Sequence, residues 1–238
     1  GIFQNTNNLG IYQEAFTHES YSLSHIEKSI VRDNLKLADK LDGVTPLQNK
    51  SYETLEFIGD SFLGNIISYY LYQRYFINHG KEEGFLTKLK VRFVCGEQLA
   101  NLSNKLNLNK FMIISKHIED NCDGRNNLNI LEDVFEAFIG ALYIDTNDFK
   151  LLEKFIINII EKYIDFSDII LKDNNYKDQI LRYFQHNYKL YPTYKTEKNG
   201  TDGQYCCKLY KGDEYIESGY GISKKKSEQE ASKKAINK

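Results

Sequence analysis

The stretch Tyr52–Gly64 reads YETLEFIGDSFLG and opens a long apolar segment of the chain. Its apolar positions recur at spacings close to 3.6 residues as far as about Phe76, which predicts one long helix. Glu53, Glu56 and Asp60 occupy positions i, i+3 and i+7, so their side chains share one face of that helix. A helix this apolar is expected to be buried, and three acidic groups on one side of it need an explanation.

A second predicted helix has the same unusual combination of apolar and acidic residues. NILEDVFEAFIGALYID, residues 129–145, carries Asp133 and Glu136 at i and i+3 among apolar side chains that would face a core. Taken alone, acids at this spacing are also typical of a solvated helix face. Two such stripes in the most apolar helices of one chain favour a shared site.

Glycines follow both stripes, Gly64 after the first and Gly140 after the second, and small residues would let the two helices cross closely. Carboxylates brought together in this way repel one another strongly unless a cation neutralises them. A ligand set of carboxylates without His or Cys favours Mg²⁺ or Mn²⁺ over Zn²⁺. The spacing alone does not name a reaction. The acids that would converge are Glu56, Asp60, Asp133 and Glu136.

Composition places the chain among ordinary globular proteins. Of its 238 residues, 41% are hydrophobic and 27% are charged, which is enough for one large or two modest cores. No apolar run is long enough to span a bilayer, and the beginning of the sequence lacks the pattern of a signal peptide. The four cysteines form no CxxC pair, so we expect a reduced, intracellular protein without a structural zinc site.

The first two-thirds of the chain is predicted to be all-helical. Residues 26–50 are polar, contain turn signals and resemble an inserted loop with one short helix. We expect a helical domain over residues 1–167 and a linker over 168–175. Helical patterns cover about 53–76, 84–95, 96–106, 109–116, 130–144 and 148–165.

Residues 176–238 have a different character and predict a small α+β domain. A short helix over about 177–187 precedes three Tyr-rich and β-branched runs separated by Gly-containing turns, and a last helix begins after Ser223. This order is α-β-β-β-α. The segment has 13 Lys and Arg against 8 Asp and Glu, whereas the rest of the chain has 18 against 25. An acidic body with a basic tail suits metal binding in one part and a polyanion in the other.

Several segments resemble the ribonuclease III family. YETLEFIGDS resembles the family's motif ERLEFLGDS, with Thr54 in place of the usual basic residue. ILEDVFEAFIGALYID resembles its second acidic segment, AFTHESY its early AFTHxSY stretch, and EEGFLTKLK and GRNNLNILED two segments between them. GYGISKKKSEQEASKKA resembles the end of a double-stranded-RNA-binding domain, which follows the catalytic domain in this family.

The resemblance implies a metal-dependent endonuclease that cuts double-stranded RNA. Its Mg²⁺ ligands, with Mn²⁺ able to replace Mg²⁺, would be Glu56, Asp60, Asp133 and Glu136, with Asp60 and Glu136 as the indispensable catalytic pair. Phosphodiester hydrolysis would leave 5′-phosphate and 3′-hydroxyl ends. A homodimer would place two sites across the duplex and make a staggered double cut.

Other residues carry family roles near this site. Glu53 and Glu83 match acids that line the RNA-facing cleft and the dimer interface. Ser61 matches a serine that supports the site, and no His close to it in sequence could activate it as a nucleophile. Phe57 matches an aromatic residue that inserts into a socket of the partner subunit.

The lysines at the start of the last helix, Lys224, Lys225 and Lys226, are predicted to bind RNA phosphates. Both their charge and the helix N-terminus attract phosphate, and duplex RNA is recognised mainly by its shape and backbone. The family resemblance favours Lys224 and Lys225 as the contacting pair.

The RNA-binding domain departs from the family pattern at two places. Leu181 and Arg182 stand where the first helix usually carries Gln-Glu, and residues 198–203 replace the usual Gly-Pro-x-His turn. Arg182, Gln185 and Lys198 are candidates to replace the missing contacts. We expect binding that depends more on phosphates and is more sensitive to salt.

Two other functions are compatible with parts of this pattern. One is a protein of the same fold that binds duplex RNA without cutting it, although the acids that such proteins lose are present here. The other is a helical, metal-dependent phosphohydrolase of small molecules. The basic second domain argues against the small-molecule enzyme, which would have no use for it.

Overall fold

The computed structural model describes residues 8–33, 45–171, 175–198 and 203–237. Contacts within the chain divide it into two compact units, Gly1–Ile169 and Ile170–Lys238. Among the described residues, no helix combines the length and the apolarity needed to cross a membrane.

Helices account for the first unit, as the sequence predicts. Within its described part, the only β-bridges are two isolated pairs, Thr17 with Ile113 and Ser22 with Gln48. A π-helical turn over Tyr72–Ile77 continues α3. The helices are α1 Leu9–Ala15, α2 Leu23–Asp33, α3 Glu53–Leu71, α4 Glu83–Phe93, α5 Gly96–Lys105, α6 Lys116–Asn121, α7 Leu128–Thr146, α8 Phe149–Tyr163 and α9 Phe166–Leu171.

Two predicted features lie wholly or partly outside the described residues. The insertion at 26–50 contains the end of α2, and its residues 34–44 are not described. The segment 168–175 begins inside α9, and its residues 172–174 are not described.

Helix α7 is the centre of the first unit and packs against α1, α3, α5 and α8. Both of its faces are apolar and buried, which explains why its sequence is hydrophobic almost all round. Asn127 caps its start by accepting a hydrogen bond from the backbone N–H of Asn129 (3.0 Å). Asn147, in the left-handed conformation with φ 48°, ends it.

The close crossing of α3 and α7 is made by Gly59 and Gly140. A Cβ atom on Gly59 would lie 1.8 Å from the carbonyl oxygen of Glu136, and one on Gly140 would lie 2.2 Å from the carbonyl oxygen of Leu55. The prediction for Gly140 is therefore correct, whereas the prediction for Gly64 is wrong. A Cβ on Gly64 would find Lys90 Nζ as its nearest neighbour at 3.7 Å, because that position faces α4 instead of α7.

The helix predicted over 109–116 is also wrong. A short 3₁₀ turn ends at Phe111, and α6 begins only after Ser115, whose side chain accepts from the backbone N–H of Ile118. Between them, the N–H of Ile113 donates to Phe16 O (2.8 Å) and its own carbonyl accepts from the N–H of His18 (3.0 Å). This pairing with a distant segment replaces the helical hydrogen bonds.

The second unit has the predicted α-β-β-β-α order. Helix α10 Tyr176–Tyr188 is followed by β1 Pro192–Lys198, β2 Tyr205–Lys211, β3 Glu214–Gly221 and helix α11 Lys224–Ile236. The strands form an antiparallel sheet in the order β1-β2-β3, with a register irregularity between Leu209 and Tyr210. Its core contains Ile180, Phe184, Cys207, Leu209 and Ala231.

Paired alanine substitutions on α3 test the assignment of the helix crossing. Gly59→Ala should destabilise the protein by several kcal/mol, on the order of other overpacked cores or more, because backbone atoms block its Cβ. Gly64→Ala should be neutral or stabilising by up to about 1 kcal/mol, because alanine favours a helix interior over glycine. Denaturant unfolding measures both. Equal effects of the two substitutions would contradict the assignment.

Candidate nuclease site and RNA-binding surface

The acids of α3 and α7 come together where the two helices cross. Gly59 directly precedes Asp60 on α3, and Gly59 packs against the backbone carbonyl of Glu136 on α7. The carboxylate of Glu136 interacts electrostatically with Asp60, Glu56 and Asp133, and all of these interactions oppose its ionisation. The structure thus brings the four predicted ligands into one acidic cluster.

Glu136 is the buried member of this cluster, with only 7% of its surface exposed. Burial and then the neighbouring carboxylates raise its pKa to about 8. Among the described residues, no hydrogen-bond donor or cationic side chain is found paired with this carboxylate. A buried acid of this kind is costly for the folded chain, and a positively charged ligand would lower that cost.

Asp133 is held by a tyrosine that precedes α3. The hydroxyl of Tyr52 donates to Asp133 Oδ2 at 3.0 Å, and the tyrosine ring packs edge-on against His18 at 5.8 Å between ring centroids. Burial is the largest influence on Asp133 and raises its pKa, whereas the Tyr52 hydroxyl acts in the opposite direction. The AFTHESY and YETLEF segments therefore meet at this acid, and sequence reasoning missed the role of Tyr52.

Glu56 and Glu53 lie on the α3 side of the cluster. Burial and then Asp133, Glu53 and Asp60 raise the pKa of Glu56, which is half-buried. Glu53 is exposed and accepts a hydrogen bond from the Ser51 hydroxyl. Glu53 is thus a neighbour at the rim of the cluster, whereas Glu56 is a member of it.

The remaining residues predicted around the site lie at the surface. Glu83 begins α4 and accepts a hydrogen bond from Thr87 Oγ1 (2.8 Å) within its own helix. Ser61 donates to the carbonyl of Phe57 (3.2 Å), so its hydroxyl is engaged with the helix backbone. Phe57 is 76% exposed on the same helix, which is the exposure that an aromatic residue of an interface would have.

A fifth acid, Glu132, joins the cluster and was missed from the sequence. It lies one helical turn before Glu136 on α7, and Asp133 and Asp60 both act on its carboxylate. Glu132 raises the pKa of Glu136 more than Glu56 or Asp133 does. The i, i+4 spacing from Glu136 was the signal in the sequence that could have identified it.

The cluster suits a hard divalent cation by its chemistry. All of its donors are carboxylate oxygens, which is the donor set that Mg²⁺ and Mn²⁺ prefer. In the part of the chain that the structure describes, its buried member Glu136 has no positive partner. Within the described ranges, no three His, Cys, Asp or Glu groups form a ready-made metal cage. Mg²⁺ does not require one, because it usually keeps several waters and takes only one or two carboxylates together with substrate phosphates.

The second unit presents its predicted RNA-binding side chains to solvent. Lys224, Lys225 and Lys226 form the first turn of α11 and are all exposed, and Ser223 caps this helix by accepting from the N–H of Lys226 (3.3 Å). Lys226 lies beside a groove of about 430 Å³ that Tyr220 also lines.

The proposed substitutes for the missing family contacts are exposed as well. Arg182 forms an ion pair with Asp178 at 3.1 Å, one turn earlier on α10, and Gln185 lies on the next turn. Lys198 ends β1, but residues 199–202 of the following loop lie outside the described residues, so the altered turn has no structural account.

An acidic cluster at a helix crossing, followed by an α-β-β-β-α unit with a basic helix start, defines a two-unit protein of the nucleic-acid-processing class. Comparisons with known proteins agree with this class. A model of the Ribonuclease III domain matches residues 53–147, and a model of the double-stranded RNA binding motif matches residues 176–238.

Two curated relatives extend the match over nearly the whole chain. Ribonuclease 3 of Borreliella burgdorferi is 33% identical over 239 residues, which cover 96% of this chain and 84% of that protein. A probable ribonuclease 3 of Acanthamoeba polyphaga mimivirus is 35% identical over 95% of this chain, which spans only 40% of that longer protein. The chain belongs to the ribonuclease III family.

A solved structure supports the fold of the first unit. The nuclease domain of ribonuclease III from Campylobacter jejuni matches with a TM-score of 0.53 and 26% identity over 68% of this chain and 92% of that one. That protein is described as flexible in a region involved in dimer formation.

The raised pKa of Glu136 predicts a stability change that depends on pH. Since its folded pKa is about 8 against an ordinary 4.5, the folded state loses stability relative to the unfolded state as pH rises from 4.5 to 8. Glu136→Gln removes this loss. In EDTA the variant should melt at a higher temperature than the unaltered protein at pH 8 and at the same temperature at pH 4.5. If the variant and the unaltered protein melted at the same temperature at pH 8 as well as at pH 4.5, the burial of an unpartnered acid would be contradicted.

Proposed function

We propose that this chain is a divalent-metal-dependent endoribonuclease that hydrolyses phosphodiester bonds in double-stranded RNA. The observation that carries the proposal is the acidic cluster, with its buried Glu136, in a domain that belongs to the ribonuclease III family. The double-stranded RNA binding motif in the second unit supports duplex RNA as the substrate.

The reaction is a hydrolysis without a covalent enzyme intermediate. Water attacks the phosphorus, the bond to the 3′-oxygen breaks, and that oxygen takes up a proton, so the ends are a 5′-phosphate and a 3′-hydroxyl. Glu56, Asp60, Asp133 and Glu136 would hold Mg²⁺ or Mn²⁺, which would supply positive charge for the attacking and leaving oxygens and lower the pKa of water. The engagement of the Ser61 hydroxyl with its own helix supports water as the nucleophile.

The chain's own residues have distinct tasks in this proposal. Glu136 and Asp60 would supply two of the ligand carboxylates at the helix crossing, Glu136 from a buried position and Asp60 from an exposed one. Glu56 and Asp133 complete the ligand set on either helix. Tyr52 fixes the orientation of Asp133 through the 3.0 Å hydrogen bond.

A homodimer would complete the enzyme through the exposed Phe57. Phe57 is 76% exposed on the helix that carries Glu56 and Asp60, and the family match supports it as a contact with a second copy. Two copies would cut the two strands at staggered positions.

Cleavage of long duplex RNA tests the proposed reaction. Mg²⁺ should permit cleavage and EDTA should abolish it. Glu136→Ala should lower the rate by roughly 10³-fold or more, a loss like that of other groups that stabilise transition-state charge, while changing RNA affinity less than about twofold. Glu97→Gln, which neutralises an exposed acid of α5, is the matched control and should retain cleavage. RNA that is bound but uncut by the unaltered protein would favour a binding protein instead.

Duplex RNA binding by the segment 170–238, a compact unit with its own core, tests the role of the second unit. Replacing Lys224 and Lys225 together by alanine should weaken binding and lower the slope of log affinity against log salt by about two, one for each lost phosphate contact. Replacing Lys233 and Lys234 near the other end of α11 is the control and should change little. If the unaltered segment failed to bind duplex RNA at low salt, the assignment of the second unit as an RNA-binding domain would be refuted.

A further inference from the structure

Glu132 belongs to the acidic cluster but is not one of the four proposed metal ligands. It precedes Glu136 by one turn of α7, so the two carboxylates share a helix face. Its side chain is half-buried and interacts electrostatically with Asp133 and Asp60. Among the acids that raise the pKa of Glu136, Asp60 has the largest effect and Glu132 the next largest.

The carboxylate of Glu132 is seated against the first residue of α5, Gly96. A Cβ atom on Gly96 would lie 2.2 Å from Glu132 Oε2, 2.8 Å from its Cδ and 3.1 Å from Oε1. The absence of a side chain at this glycine therefore provides the space that the carboxylate occupies. Because no side chain caps the start of α5, the helix N-terminus also attracts this negative group.

A purely structural role for Glu132 would be to cap α5. A capping role alone does not explain why the carboxylate of Glu132 belongs to the cluster, where its charge adds to the repulsion between the acids. Glu136, more than nine-tenths buried and with no partner found among the described residues, belongs to the same cluster. The four acids gathered around Glu136 are held there at a cost that a positive partner would remove.

We propose that Glu132 supplies a fifth carboxylate to the cation site and that Gly96 keeps this carboxylate in place. The inference rests on the proposed function and deepens it. Its consequence is that affinity for a divalent cation depends on both the charge of Glu132 and its position. The two dependences are separable, because substitution of Glu132 removes the charge, whereas substitution of Gly96 only displaces it.

Mn²⁺ binding by the full chain without RNA, followed by the electron paramagnetic resonance signal of the free ion, tests the proposal apart from activity. Glu132→Gln should weaken Mn²⁺ binding about tenfold or more, the size expected for one unit charge lost a few Å from the ion. Gly96→Ala should weaken it less, because the carboxylate end of Glu132 is flexible and shifts without losing its charge.

Matched controls are present in the same part of the chain. Glu97→Gln removes an exposed acid from the first turn of α5, and Gly84→Ala adds a Cβ to the first turn of α4, where no atom lies within 4 Å. Both should bind Mn²⁺ within about twofold of the unaltered protein.

Two outcomes would count against the inference, and they have different meanings. Unchanged Mn²⁺ affinity in Glu132→Gln would overturn the inference, and a lowered melting temperature of that variant would then leave Glu132 the role of a helix cap. If Glu136→Ala at the same time lost Mn²⁺ binding, the proposed function would stand without it. If the unaltered chain bound no Mn²⁺ at millimolar concentrations, the metal requirement itself would be wrong, and the inference with it.

Discussion

The backbone contact between α3 and α7 is the constraint on which the first unit depends. Gly59 and Gly140 let each helix touch the carbonyl groups of the other, so the helices cross at a distance that no larger residue would permit. Since Asp60 follows Gly59 and Glu136 bears the contacted carbonyl, the point of closest packing is also the point where the acids gather. Fold and site are therefore consequences of the same contact.

This arrangement stabilises the packing of the two helices but disfavours the ionised form of the acids that lie between them. The apolar faces of α3 and α7 lose their contact with water, which favours folding. The same burial raises the pKa of Glu136, Asp133 and Glu56, and each neighbouring carboxylate adds to that effect. In the proposed enzyme, this loss of stability would be the cost of a site that attracts a cation.

The parts of the two units that the proposed function uses carry opposite charge. In the proposed enzyme, the acidic cluster would repel RNA phosphates until a cation neutralised it, whereas the exposed lysines at the start of α11 would attract phosphates directly. In the proposed enzyme the second unit supplies affinity and the first supplies chemistry. This division explains why the charge balance of residues 176–238 differs in sign from that of the remaining chain.

The sequence by itself determined the long helices, the α-β-β-β-α order and the two acidic stripes, because periodicity and turn residues are local properties of the chain. Tertiary structure decided what depends on distant contacts. It selected Gly59 over Gly64, since only the helix crossing shows which glycine faces α7. It replaced the helix expected at 109–116 with backbone pairing to Phe16 and His18. It also added Tyr52 and Glu132 to the site, because a hydrogen bond between α7 and the residue before α3, and a carboxylate seated on α5, exist only after the chain has folded.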